Sequence, residues 1–242
     1  MSDTLVLCYH ALSERWPANL AVRPERFAEQ VAWLHRHGYR GVTFSEAVQG
    51  GERGRRVAVT FDDGFSSVAE IARPILDRFG FPGTLFAVSS FAASGEPLRW
   101  PGISQWGGTE HEDELAGLAW EPLRELASAG WEIGSHTVTH PWLTRIDDAM
   151  LDRELSESRA AVAEAIGAPC RSIAYPYGDV DARVEAAAQR AGYETGGALP
   201  EVWPKPKPLR WPRNGIYHAD GMGRFQLKVS PTVRLIRQLV RR

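Results

Sequence analysis

Residues 57 to 65 read VAVTFDDGF, an apolar run that ends in two adjacent carboxylates, Asp62 and Asp63, and a glycine. Two like charges side by side repel unless a cation lies between or beside them, so the pair points to metal binding or proton transfer. Alone, Asp-Asp-Gly after a strand is ordinary turn chemistry. The pair gains weight from WEIGSHTVTHPW at 131 to 142, where His136 and His140 follow another apolar run. A spacing of four puts both rings on one face of a helix, but Pro141 disfavours helical geometry at His140 and favours a tight turn after a strand. Either geometry lets both imidazoles reach one ion.

Other apolar runs end the same way, in CYH at 8 to 10, AYPYGD at 174 to 179 and RWPR at 210 to 213. Short β-prone runs at 4 to 9, 41 to 44, 56 to 61, 83 to 88, 131 to 134, 172 to 175, 194 to 199 and 209 to 217 alternate with segments of helical period. Phe27, Val31 and Leu34 follow Pro24 and stop at Gly38; Leu151, Leu155, Val162 and Ile166 share one helical face and stop at Gly167. Such alternation predicts an α/β fold of parallel strands covered by helices. In a parallel barrel the C-terminal strand ends share one face, so Tyr9 and His10, Asp62 and Asp63, His136, Tyr177 and Arg213 would converge there. Segments 92 to 114 and 200 to 208 have neither period and read as surface loops.

The 242 residues, 43% hydrophobic and 24% charged, suit one large domain with a substantial core. A formal net charge of -2 and the lack of an aromatic and basic stripe argue against nucleic acid as a partner. Cys8 and Cys170 lie in apolar contexts without C-x-x-C spacing and read as buried free thiols. The start, MSDTLVLCYHAL, has an apolar stretch too short for a signal-peptide core or a membrane span, so the expected location is cytoplasmic, or exported if the chain is a trimmed form.

The stretches TFDDG at 60 to 64, GSHTVTH at 134 to 140 and YPYG at 175 to 178, with the helix and strand leading into the histidines, resemble the polysaccharide deacetylases of carbohydrate esterase family four. The resemblance covers most of residues 1 to 217 and implies a distorted (β/α) barrel over 1 to 220, with 221 to 242 as a basic tail or terminal helix. It implies a metal-dependent hydrolase that removes N-acetyl groups from an amino sugar in a glycan or glycan precursor by attack of metal-bound water. By motif position Asp63, His136 and His140 are the metal ligands, Asp62 is the general base, and the backbone N–H of Tyr177 is an oxyanion donor. One carboxylate and two imidazoles suit one divalent ion, zinc first, with cobalt, manganese or nickel as alternatives.

The chain departs from the common family pattern in carrying Ala174 where an arginine is usual, and in lacking a clean histidine motif near its C-terminus. LVLCYHAL instead resembles the permuted arrangement of the poly-N-acetylglucosamine deacetylase branch, which points to His10 as the acid, with His218 as its rival. Arg213 is the candidate replacement for the missing arginine. The partner this implies is an acetylated carbohydrate. An O-acetyl carbohydrate esterase, a non-catalytic metal- or sugar-binding module and a non-haem iron oxygenase are the competing readings.

His35, His37 and His111 sit among polar residues and are expected to be solvated. Trp106, Trp142, Trp203 and Trp211 are candidates to stack on sugar faces, Trp142 and Trp211 first. The tail from 221 holds six Lys or Arg residues and no acid. It reads as a last helix, with a peripheral contact to an anionic membrane through Val233, Leu235, Ile236 and Leu239 as the alternative.

Overall fold

The computed structural model describes residues 3–51, 54–200 and 205–234. Its strands are β1 (Asp3–Tyr9), β2 (Ala11–Leu12), β3 (Ala21–Val22), β4 (Tyr39–Gly41), β5 (Arg55–Phe61), β6 (Gly83–Ala87), β7 (Glu132–Ser135), β8 (Ser172–Ala174), β9 (Thr195–Ala198), β10 (Trp211–Pro212) and β11 (Asn214–Gly215). Its α-helices are α1 (Pro24–Arg36), α2 (Phe44–Gln49), α3 (Arg73–Asp77), α4 (Ser89–Ser94), α5 (Trp120–Ser128), α6 (Asp148–Ile166), α7 (Ala182–Arg190) and α8 (Met222–Val229). Nine strands form one parallel sheet in the order β10-β9-β8-β7-β6-β5-β1-β11, with β4 also on β5. β10 lies on β9 and β11 on β1, yet the two are separated only by Arg213. A single stretch of chain therefore bridges both ends of the sheet and nearly closes the barrel.

Each strand divides its residues by parity. On β5, Val57, Val59 and Phe61 join the main core beneath the helices, while Ala58 joins a smaller cluster with Val6, Phe44, Phe86 and Ala174. Asp62 has the parity of Ala58 and Thr60, so strand geometry alone aims it into the barrel mouth. Cys8 shares the parity of Val6 and sits opposite Thr60 in the β1–β5 register.

Three expectations are corrected. The run at 41 to 44 is a strand only through Gly41, because Thr43 and Glu46 form a capping box that starts α2 at Phe44. The run at 209 to 217 is two short strands on different neighbours. Segment 92 to 114 is also more than a surface loop: Leu98, Trp100 and Ile103, with Leu115 just beyond, are buried in a third cluster with Trp16 and Phe65.

At the C-terminal end α8 buries Phe225 and Val229. Lys228 bonds the Gly215 carbonyl at 2.8 Å and pairs with Asp220, and Arg234 pairs with Asp3, so these two basic residues brace the barrel. Leu235, Ile236 and Leu239 of the alternative membrane face, and Trp203 among the tryptophans, lie outside the described residues. No helix among the described residues is long and apolar enough to cross a membrane.

Candidate metal centre and cleft

The C-terminal strand ends form the floor of a cleft of about 610 Å³ lined by His10, Asp62, Asp63, His136, His140, Trp142 and Tyr177 among others. The backbone there is bent against its preference. Among the described residues the non-glycines with positive φ are Asp63 (76°), Thr137 (69°), His140 (63°) and Tyr177 (58°), all in the segments that carry the site. Such conformations cost about 1–3 kcal/mol each and persist only where neighbours over-determine them.

Those neighbours can be named. The Gly64 amide bonds back to the Asp62 carbonyl at 2.9 Å, closing a three-residue turn about Asp63, and Gly64 itself needs φ 89°. Residues 116–118 brace this turn through Ser66 N to Ala116 O and Leu118 N to Gly64 O, both 2.8 Å. The histidine turn is gripped from below by Glu154 of α6. Its buried carboxylate accepts from Val138 N at 2.7 Å, Thr139 N at 2.9 Å and Thr139 Oγ1 at 2.5 Å. Ser135 Oγ accepts from Thr137 N, and Thr137 Oγ1 from His140 N, each at 3.1 Å. His136 and His140 thus lie in a turn after β7, as Pro141 requires.

One ligand atom each from Asp63, His136 and His140 fall within 4.8 Å of one another, and all three residues are buried. Both Nε2 atoms stand 3.3 Å from Asp63 Oδ1, yet that oxygen has no hydrogen-bond partner. His136 Nδ1 lies 2.8 Å from the Ala174 carbonyl, which can only accept, so the proton is on Nδ1 and Nε2 offers a lone pair. An orphaned buried carboxylate oxygen facing two imidazole nitrogens is a donor set that a divalent cation satisfies, and the residues fit one. Burial would raise the Asp63 carboxyl pKa, but His136 and His140, with His10, drive it far below the ordinary range. Burial lowers the pKa of His136, an effect that Asp62 and Asp63 reverse to a net rise, while for His140 burial prevails and the net shift is down.

Asp62, adjacent in sequence, has a different environment. Arg213 forks onto it, Nη1 to Oδ1 and Nη2 to Oδ2 both at 2.7 Å, and both residues are fully buried. Cys8 Sγ donates to Oδ2 at 3.4 Å. Burial would raise the Asp62 carboxyl pKa, but Arg213, then His136 and His10, bring it down to about 2. Arg213 keeps its place because Gly197 leaves room: a Cβ there would stand 2.7 Å from Arg213 Nε.

His10 lies beside Asp62 at the cleft edge, with its Nδ1 unpartnered and its ring 6.4 Å from that of Tyr217. His218 does not line the cleft. Its Nδ1 is engaged by the Ala21 carbonyl at 3.0 Å and its own carbonyl by Arg26. Tyr177 stacks on Trp142 with centroids 3.9 Å apart and meets His140 edge-on at 4.6 Å; burial pushes its phenol up to about 12.

Trp142 and Trp106 line the cleft, but Trp211 does not: it packs on the cluster of Val6, Phe44 and Phe86. His35 and His37 are exposed, whereas His111 is largely covered and meets Trp106 edge-on, contrary to a solvated histidine. Cys8 and Cys170 are buried and unpaired. Sequence reasoning missed Trp100, which stacks on His140 at 4.3 Å, together with Tyr217 and Glu154. Glu154 left a trace, a charge on the same apolar stripe as Leu151 and Leu155; Trp100 and Tyr217 left none.

A sequence profile of the polysaccharide deacetylase family matches residues 49–196. A parallel, nearly closed barrel with a buried Asp-His-His cluster at its strand ends suits that assignment, and the chain belongs to this family. It is 27% identical over 196 residues to YxkH of Bacillus subtilis, covering 79% of this chain and 62% of that protein. It is 24% identical over 206 residues to a poly-beta-1,6-N-acetyl-D-glucosamine N-deacetylase of Staphylococcus aureus, covering 80% and 66%. The match thus spans a little under two thirds of these curated relatives. The fold is that of a Streptococcus pyogenes deacetylase, PplD, solved with acetate (TM-score 0.76, 21% identity, 94% of this chain and 98% of that one). It is also that of IcaB from Ammonifex degensii (TM-score 0.72, 22% identity, 98% of each chain).

Proposed function

We propose that the protein hydrolyses the N-acetyl group of an amino sugar in a neutral glycan, with one divalent ion, zinc first, held by Asp63, His136 and His140. One observation carries the reading: an orphaned Asp63 Oδ1 faces two imidazole nitrogens, and a second carboxylate, locked by Arg213, stands beside it at the floor of an aromatic cleft. Bound there, the ion supplies Lewis acidity, polarising a carbonyl and lowering the pKa of water to about 7 in favourable sites.

Asp62 takes the proton of the attacking water. Its carboxyl at about 2 makes it a weak base that stays charged at working pH, so it suits a water already made acidic and would serve poorly with ordinary water. Arg213 fixes the direction of both oxygens. The backbone N–H of Tyr177 is the donor assigned to the developing oxyanion, presented by a left-handed turn that Gly178 completes with φ 71°. An amine cannot leave as an anion, and His10, beside Asp62 at the cleft edge, is assigned to protonate it. Among the described residues the cleft lining has no lysine or arginine and no carboxylate besides Asp62 and Asp63. Trp100, Trp106, Trp142, Tyr177 and Tyr217 supply flat apolar faces instead. That lining favours an uncharged sugar, as does the N-acetylglucosamine polymer named for the staphylococcal relative.

The test is mass spectrometry of acetylated sugars, free, polymeric and lipid-linked, N- and O-acetylated, with zinc-loaded protein. Loss of one acetyl mass from N-acetyl substrates is the expected result; loss only from O-acetyl esters would reassign the protein as an esterase. For the acid, His10→Ala should cost far more on an amide than on an activated aryl acetate, whose phenolate leaves without a proton. Equal losses on both would return His10 to a packing role.

A further inference from the structure

The second carboxylate has a second set of neighbours. Cys8 and Asp62 both point into the barrel, because β1 and β5 pair in a register that sets Cys8 beside Thr60 and the strand parity then aims Asp62 the same way. His10 follows on the next inward position of the chain and reaches the cleft. One ligand atom each from Cys8, His10 and Asp62 fall within 4.8 Å of one another, and His10 Nδ1 is buried without a partner. The reaction proposed above uses Asp62 and His10 but gives the thiol no task.

We infer that Cys8, His10 and Asp62 form a second, weaker cation site that takes a thiophilic divalent ion in excess and, when filled, switches the hydrolase off. The Arg213 fork occupies one lone pair on each oxygen of Asp62, and the Cys8 thiol lies within donating reach of another on Oδ2 at 3.4 Å, with the Tyr9 carbonyl at 3.7 Å as its other acceptor. A cation takes the thiol hydrogen's place: the S–H bond breaks, a sulfur–metal bond forms, and the proton leaves to solvent with no change of oxidation state. Sulfur and imidazole ligands select zinc, cobalt or cadmium over magnesium or calcium. Arg213 and a cation already held by Asp63 make the local field positive, so this ion binds second. It ties up both groups assigned to move protons, which is why occupancy stops turnover. This consequence rests on the deacetylase reading; the site itself does not.

Cobalt separates the two sites by colour. In protein holding one equivalent of Co²⁺, oxygen and nitrogen ligands give only weak visible bands. Further Co²⁺ should build an intense near-ultraviolet thiolate-to-cobalt band, and acetate release should fall in step. The band should remain in Cys170→Ser, whose only thiol is Cys8, and vanish in Cys8→Ser, whose activity at excess cobalt should then match its own value at one equivalent. His10→Ala should raise the cobalt needed for the band by at least about tenfold. No band at excess cobalt in the wild type or in Cys170→Ser, or a band that survives in Cys8→Ser, overturns the site. A band without loss of activity overturns the switch. Protein that releases no acetate at any cobalt level sinks the deacetylase reading, and the band still decides whether the site exists.

Discussion

The floor of the cleft is built from backbone bent into left-handed turns and tied by hydrogen bonds, whereas the wall formed by residues 13–20 and 98–115, with Trp142, is built largely from apolar side chains. On the floor, non-glycine residues hold positive φ at Asp63, Thr137 and His140 only because Glu154, Ser135 and the 116–118 segment leave them no alternative. On the wall, every non-glycine keeps negative φ, and Trp16, Leu98, Trp100, Ile103 and Leu115 form a cluster with Phe65. The floor fixes the positions of individual atoms, as bond-making requires; the wall supplies area, as holding the proposed sugar requires. Damage to the floor should therefore appear in kcat and damage to the wall in KM.

The largest effects belong to Asp62, the proposed base, and to the proposed metal ligands. Asp62→Asn should retain one equivalent of zinc and lose about 10²–10⁴ in kcat, because it removes the proposed base and none of the proposed ligands. His136→Ala with His140→Ala should lose metal and activity together, and full metal content in that double variant would end the ligand assignment.

Next comes the brace between Asp62 and Arg213. Arg213→Ala leaves a buried carboxylate unpaired and should lower stability by about 3–5 kcal/mol, read by urea unfolding. The pair also sets an acid limb. The folded carboxyl, at about 2, lies below its ordinary value of 3.8, so its stabilising contribution is complete above the ordinary value and fades as pH falls toward 2. Asp62→Asn should flatten that part of the stability curve, and an unchanged slope would mean other carboxylates dominate it.

Much of the floor is legible in the sequence because chemistry there demands residue types. Asp62, Asp63, His136 and His140 announce themselves at strand ends, and the two-residue period of β5 is enough to place Asp62 on the inward side. Arg213 is harder. Its partner is 151 positions away, and it sits at a joint between two strands that the sequence shows as a single run from 209 to 217. The wall is illegible for a physical reason: Leu98, Trp100, Ile103 and Leu115 follow neither the 3.6 nor the 2.0 period, so an irregular packed segment looks like a solvated loop. What marks it as packed is apolar residues at uneven spacing among the glycines.

Glu154→Gln tests whether the floor depends on support from below. The glutamate accepts three hydrogen bonds from the histidine turn, and an amide can accept on only one of its two ends. With the amide oxygen in the place of Oε2 both N–H bonds persist but lose their charge assistance, and the bond with the Thr139 hydroxyl must reverse. The change should cost about 1–3 kcal/mol in stability and should weaken zinc retention by about 10–100-fold although residue 154 is not a ligand. Zinc affinity unchanged in a folded variant would show that the turn holds itself.

The smallest effect is the one that defines the wall. Trp100 stacks on His140 and reaches the cleft, while Trp142 stacks on Tyr177, so both touch floor residues with one face and the cleft with another. Replacing Trp142 by Ala removes a flat face proposed to stack on the sugar and worth about 0.5–1.5 kcal/mol, which predicts a KM raised about two- to tenfold with kcat nearly kept. Trp100→Ala should do the same to KM and also loosen the ring of His140, so its kcat should fall too. The contrast between the two variants is the measurement. If Trp142→Ala lowers kcat as much as Trp100→Ala does, then Tyr177 depends on its stacking partner for position, and the boundary between floor and wall runs through Trp142 rather than beneath it.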